Sequence, residues 1–253
     1  MGYSTLIVLG AGLVAGTMNA LAGGGSFVTL PALISVGLPS VQANASSTVG
    51  LFPGTVASTW AYRDGLGPIG AVSLQPLMLV TLVGGAIGAL LLLGTSSKTF
   101  DFLLPWLLAI ATVTLGFGRQ LGEWLRRRWH IRPWTVLVIQ LGLGIYGGYF
   151  GGAVGIMMMA VWGLLDDRDI KSLNAPRTLL VTVANIMAVL IFIAAHAVRW
   201  KEAGILLAGA IVGGYCGALV GRRAPATVVR AATLCIASCI TLMFFARAYL
   251  IAR

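Results

Sequence analysis

The sequence points to an all-α integral membrane protein of about ten segments, arranged as two inverted five-segment repeats with broken or re-entrant short helices. Three observations lead there. Of the 253 residues, 58% are hydrophobic and only 9% charged, with mean hydropathy +0.94, against roughly 25% charged in soluble domains. The apolar residues come in blocks near the length of a spanning helix. Glycine and asparagine motifs recur about 130 residues apart. Seven acids and seventeen bases are too few to cover a soluble exterior, which excludes most soluble enzymes. The net charge of +10 is gathered in breaks between apolar runs, so it reads as topology signal rather than as a nucleic-acid surface.

Apolar segments fall at 4–22, 26–38, 41–62, 69–95, 100–118, 134–150, 152–165, 172–196, 203–221 and 226–249. Those at 26–38 and 152–165 are short for a span, which takes about 20 residues. Gly23-Gly24-Gly25, Gly37-Leu38-Pro39, Arg63-Asp64-Gly65, Asp166 to Lys171 and Arg222-Arg223 punctuate the boundaries. Pro53, Pro76 and Pro105 lie inside segments and are expected to kink them. The first run passes into glycines with no A-x-A-like site, so it is expected to stay as a helix rather than be cleaved. Arg119 to Pro133 carries five arginines beside Trp124, Trp129 and Trp134, the makings of an interfacial helix on the cytoplasmic face or of a topology-setting linker. Cys216, Cys235 and Cys239 sit in apolar stretches and are expected to be buried packing residues.

Gly12 and Gly16 recur as Gly144 and Gly148, Asn44-Ala45-x-x-Thr48 as Asn174-Ala175-x-x-Thr178, and Gly84-Gly85-x-x-Gly88-Ala89-Leu90 as Gly213-Gly214-x-x-Gly217-Ala218-Leu219. The offsets are 132, 130 and 129, a slow drift that small loop deletions produce. The chain therefore divides into a first repeat at 1–118, a basic linker at 119–133 and a second repeat at 134–253. Five segments per half is an odd number, so the second half enters the membrane from the opposite side. With the linker in the cytoplasm, eleven basic residues lie inside, Arg63, Arg168, Lys171, Arg222, Arg223 and Arg230 among them. Lys98, Arg199, Lys201, Arg247 and Arg253 lie outside, a bias that follows the positive-inside rule. Both termini are expected in the periplasm.

Inverted repeats with interrupted helices form binding sites near the midplane between the halves. Asn19 with Gly23, Gly24, Gly25 and Ser26 in one half, and Gly151, Gly152 and Gly155 in the other, are the candidate breaks. Broken helices there aim backbone N–H groups into the protein, a setting for an anion. Gly12, Gly16, Gly144 and Gly148 read as close-packing positions instead. The second candidate pair is Asn44, Ser46, Ser47 and Thr48 with Asn174, Arg177 and Thr178. Asparagine at a helix start exposes amides and hydroxyls together and equally serves as a simple cap. Arg177 is the basic residue placed inside an apolar segment, suited to bidentate contact with a sulfonate, sulfite or carboxylate. Alternatively it snorkels to Asp166, Asp167 or Asp169, lying only about 9 Å along a helix from Lys171. All seven acids fall at segment ends or in loops, which leaves no mid-depth carboxylate for a proton or sodium relay and favours an anion as cargo. No buried acid, nucleophile with base, or ligand cluster suggests an enzyme, metal or cofactor.

The run Gly16-Thr17-Met18-Asn19-Ala20-Leu21-Ala22-Gly23-Gly24-Gly25-Ser26, followed by Pro31, Gly37-Leu38-Pro39 and Ala43-Asn44-Ala45-Ser46-Ser47, closely resembles the TauE/SafE family of sulfite exporters and related permeases. The glycine-rich stretch Gly144 to Gly155 fits that family's second repeat, so the resemblance covers nearly the whole chain. Leu173-Asn174-Ala175-Pro176-Arg177-Thr178, in place of an Ala-x-x-Thr/Ser pattern, and Met157 to Met159 depart from it. The resemblance implies a bacterial inner-membrane carrier for sulfite, thiosulfate or an organosulfonate, coupled to a proton or sodium gradient. It leaves the particular anion, the direction of flux and any homo-oligomer open. An anion channel or a non-transporting membrane partner protein remains the alternative, although polar residues are expected only in the two clusters near the breaks.

Overall fold

The computed structural model describes residues 2–21, 24–69, 72–126, 133–152, 154–162, 173–221 and 226–251. Ten α-helices carry them: α1 (Tyr3–Leu21), α2 (Ser26–Ser35), α3 (Ser40–Ala61), α4 (Leu74–Gly94), α5 (Ser97–Arg126), α6 (Pro133–Phe150), α7 (Val154–Trp162), α8 (Asn174–Ala194), α9 (Trp200–Gly221) and α10 (Ala226–Phe245). A 3₁₀ turn at Arg63–Gly65 follows α3, and a π turn at Ala246–Ile251 follows α10. There is no β-strand among the described residues.

Among the described residues, five helices are long and apolar enough to cross a bilayer. By contrast, α2 and α7 have 10 and 9 residues, about 15 Å at 1.5 Å per residue, or half of a hydrocarbon core of about 30 Å. The surface is apolar and the interior partly polar. Leu79, Leu90, Phe117, Ile211 and Leu242 face outward, while Thr29, Asn44, Ser46, Ser47, Thr81 and Gln140 are buried. Acyl chains give apolar side chains no reason to hide, so in a bilayer such helices are held by close packing and internal hydrogen bonds.

Glycine makes that packing possible. α1 lies along α9 in the same direction, with Gly12 and Gly16 against the backbone of Leu206 to Ala210, and Gly209 and Gly213 against Leu9 and Leu13. α4 lies along α6 likewise, with Gly84 and Gly88 against Leu141 to Tyr149, and Gly148 against Gly85. A Cβ at these positions would collide with backbone, so Gly12, Gly16, Gly144 and Gly148 do the packing expected of them. α3 and α8 cross the centre side by side and run oppositely. α3 begins beside Ser97, whose carbonyl accepts the Ser40 hydroxyl at 3.2 Å, and ends at Arg63. α8 begins where Ala175 meets Gly65 and ends before Arg199.

Several expectations are corrected. α4 starts at Leu74 rather than 69, because Ile69 and Val72 bond to each other in a tight turn at 2.9 and 3.0 Å. Pro76 thus falls in the first turn of α4, where its missing N–H has no intrahelical partner to lose. α5 continues unbroken to Arg126, so the first half of the basic stretch extends α5 rather than opening a separate helix. Residues 127–132 lie outside the described residues, His130 with them. Cys216, Cys235 and Cys239 are free and exposed on the outer surface. Their sequence neighbourhood is apolar because it faces acyl chains, not because it is buried.

Candidate functional site

At the first break, Gly24 has φ +87°, a left-handed conformation that glycine adopts without a Cβ penalty. The Gly25 amide donates to Asn19 Oδ1 at 2.8 Å. The Phe27 and Val28 amides donate to Gly24 O and Gly25 O at 3.0 Å each, and the Thr29 amide to Gly25 O at 3.2 Å. Most amides expected to face an anion here are thus spent within the chain, and Ser26 simply begins α2. Gly23 lies outside the described residues. One turn on, the Thr29 hydroxyl bonds Ser47 Oγ at 2.5 Å and ties α2 to α3.

At the second break, Gly151 has φ +70°. The Asn44 amide Nδ2 donates to Tyr149 O at 3.0 Å, one of the last carbonyls of α6, which a helix end leaves without an intrahelical donor. Thr48 Oγ1 donates to Asn44 O at 3.0 Å and lies 2.9 Å from where a Cβ on Gly151 would stand. The asparagine turn of the first half is therefore set directly on the glycine break of the second. At Gly152 a Cβ would meet the Phe150 ring at 2.5 Å, so the break admits no side chain there either.

Neither asparagine caps its own helix. α3 begins at Ser40 with Pro39 at the cap, and α8 begins at Asn174 with Leu173 at the cap; no side-chain capping bond forms at either. The reversal at Gly37-Leu38-Pro39 starts α3 a turn earlier than expected, which frees Asn44 to reach α6. Asn174 is half-buried, whereas Asn44 is fully buried.

Arg177 belongs to the first turn of α8, so it lies near a membrane face rather than deep inside the segment. Its stem lies against Gly155, where a Cβ would stand in ordinary contact at 3.5 Å from Arg177 Cγ and Cδ and more tightly at 3.1 Å from Val181 Cγ2. Tyr62, the residue that follows α3, is a near neighbour of it. Asp166, Asp167 and Asp169, the possible partners, lie outside the described residues. Thr178 Oγ1 donates to Ala175 O at 3.0 Å within its own turn.

Three features were not expected. The Arg199 amide donates to Ser46 Oγ at 2.9 Å, and Arg199 Nε donates to Gln42 Oε1 at 2.9 Å. A guanidinium from the α8–α9 turn is thus brought to the asparagine turn of the first half. Trp162 Nε1 donates to Gln140 Oε1 at 3.2 Å and Gln140 Nε2 to Thr81 Oγ1 at 2.8 Å, which pins the far end of α7 to α6 and α4. Asn185, in the middle of α8, is 6% exposed, and its Oδ1 is buried without a hydrogen-bond partner among the described residues. An amide in the middle of the apolar run 172–196, eleven residues beyond Asn174, was the available signal for it, since polar groups at membrane depth are costly. It has no repeat counterpart: the offset of 130 leads to Thr55.

A multi-pass helical bundle with broken half-helices and a polar interior is the architecture of a membrane transporter. Residues 8–244 match the family described as Sulfite exporter TauE/SafE, and the chain belongs to that family. Similar proteins are a probable membrane transporter protein of Haemophilus influenzae, 26% identical over 228 residues and 88% of each chain, and the probable membrane transporter protein ORF9 of Sinorhizobium sp., 28% identical over 84% of this chain and 80% of the relative. The probable membrane transporter protein YfcA of Escherichia coli K12 is 29% identical over 83% of this chain and 77% of its own. No solved structure matches. The chain is a membrane transporter and not an enzyme.

Proposed function

We propose that this transporter moves a small sulfur-containing anion, such as sulfite, thiosulfate or an organosulfonate, across the bacterial inner membrane by alternating access. Its two halves, 1–118 and 134–253, are inverted repeats that rock against each other, with both termini in the periplasm. The observation that carries this reading is the contact of Asn44 and Thr48 with Tyr149 and Gly151, because it sets a polar turn of one half on the helix break of the other. Three packing relations support the inversion. α1 rests on α9 as α4 rests on α6, which is the exchange of partners that a two-fold relation between halves produces. α3 and α8 occupy corresponding places and run oppositely. Thr112 and Thr241, separated by the repeat's own offset of 129, share a hydrogen bond at 2.9 Å, as equivalent residues do beside a two-fold axis.

Arg177 over Gly155 and Arg199 beside Ser46 give each face of the bundle one guanidinium next to an asparagine turn, a charge arrangement suited to an oxyanion. The sulfur chemistry rests on the family's description. The test is thermal unfolding of the purified protein with sulfite, sulfate, thiosulfate, sulfoacetate, taurine and acetate. A cargo that binds the folded state raises its apparent stability, by about 2.7 kcal/mol at a hundred times its Kd. Stabilisation by at least one of the sulfur anions and not by acetate is the expected result; equal shifts for all six would remove the sulfur assignment.

A further inference from the structure

Asn185 is the twelfth residue of α8, about 16 Å along the helix from Asn174 and about 14 Å from Ala194. Thr178, Thr182 and Asn185 follow one another along α8 at spacings of four and three and are all buried, so they form one polar stripe. The stripe meets α3 where Thr182 Oγ1 bonds Thr59 Oγ1 at 2.9 Å. Thr59 Oγ1 donates onward to Thr55 O at 3.0 Å, so Thr182 is the donor of the pair. The hydroxyl hydrogens beside Asn185 are therefore spent. The start of α7 stands at the same depth, since a Cβ on Gly147 would lie 3.3 Å from Val154 Cγ2 and 3.4 Å from the Cβ of Ala184, the neighbour of Asn185. The first amides of α7, which have no partners within that helix, thus lie at a depth close to that of Asn185, on the Ala184 side of α8.

A buried acceptor with no donor costs free energy that a purely structural asparagine would not retain. We propose that Asn185 contacts the transported anion at mid-depth and selects a singly protonated oxyanion, of which hydrogensulfite is the type. Oδ1 accepts the cargo's O–H and Nδ2 donates to one of its bare oxygens. A fully deprotonated anion presents acceptors alone and leaves Oδ1 unpaired. The proposal rests on the carrier reading above and adds to it that the proton crosses on the cargo. That agrees with the placement of Asp64, Asp101 and Glu202 outside the helix interiors, which leaves no described carboxylate at mid-depth to relay a proton.

The groups packed around α8 let a pH response be assigned. α3, α4 and α7 contain no ionisable side chain. α6 brings Tyr146 and Tyr149, whose hydroxyls bond Leu107 O at 2.9 Å and Thr95 Oγ1 at 3.3 Å, away from the stripe. Arg177 on α8 itself, with Tyr62, Arg63 and Asp64 after α3, lies at the far end.

The experiment uses proteoliposomes of the full chain, wild type and Asn185→Leu, with uptake of labelled sulfite measured against pH at constant total sulfite, with and without sodium, and corrected for protein-free vesicles. Wild-type uptake is expected to follow the hydrogensulfite concentration without needing sodium, and sulfate is expected to compete weakly. Asn185→Leu is expected to raise KM about ten- to hundredfold while its melting temperature stays level or rises, because an orphaned group has been removed. Saturable wild-type uptake that ignores protonation or requires sodium overturns the Asn185 proposal and leaves the carrier reading standing. Uptake that never saturates overturns both. A variant that melts lower yet transports normally shows a structural amide and overturns the proposal alone.

Discussion

Arg177 and Asn44 carry different kinds of consequence. The Arg177 stem rests against Gly155 in ordinary contact, so its removal changes charge more than packing. Arg177→Ala is expected to abolish sulfite binding in detergent by calorimetry while the protein stays folded, and Arg177→Lys to retain the charge but lose the bidentate fork. Unchanged binding in the alanine variant would remove Arg177 from the site. Asn44→Leu leaves the Tyr149 carbonyl unpaired in a dry interior, so a loss of about 1–3 kcal/mol in unfolding stability is expected. Asn174→Leu, at a half-buried position, is expected to cost no more than about 0.5 kcal/mol. Both are expected to slow transport, and a defect in only one would break the paired-site account. The asparagines and glycines were readable because they recur. Their partners were not, since Asn44 reaches Tyr149 across 105 positions and Asn185 has no counterpart to draw notice.

At the scale of helices, composition located the elements and tertiary packing set their ends. The segment beginning at 69 loses its first residues to the Ile69–Val72 turn, and α5 runs on through the first arginines because nothing in 119–126 breaks a helix. Two glycines of α6 test the packing directly. A Cβ on Gly148 would run into the Gly85 backbone, whereas Gly142 has nothing within 4 Å. Gly148→Ala is expected to lose about 1–3 kcal/mol or more. Gly142→Ala is expected to be neutral or to gain up to about 1 kcal/mol from helix propensity. Thermal unfolding in one detergent compares the two, and equal effects would mean that α4 and α6 do not approach as described. The repeat marked Gly148 as a close-packing position and left Gly142 as glycine in an apolar run; which backbone Gly148 meets depends on the direction of α4.

Across the whole molecule, the orientation proposed above assigns the two ends of α3 to opposite sides of the membrane. Lys98 and Arg63 are both exposed and lie at opposite ends of α3. With Cys216, Cys235 and Cys239 replaced by serine, Lys98→Cys is expected to react with an impermeant thiol reagent from the periplasmic side, and Arg63→Cys only after the membrane is opened. Reaction of both from one side would refute the topology. Alternation of the two halves about an anion site at their breaks is read by counterflow in proteoliposomes. Unlabelled sulfite inside should accelerate and transiently concentrate labelled sulfite entering from outside, with saturation, and Arg177→Ala should abolish this. Entry that rises linearly with concentration and ignores the internal anion would contradict alternating access and leave a pore.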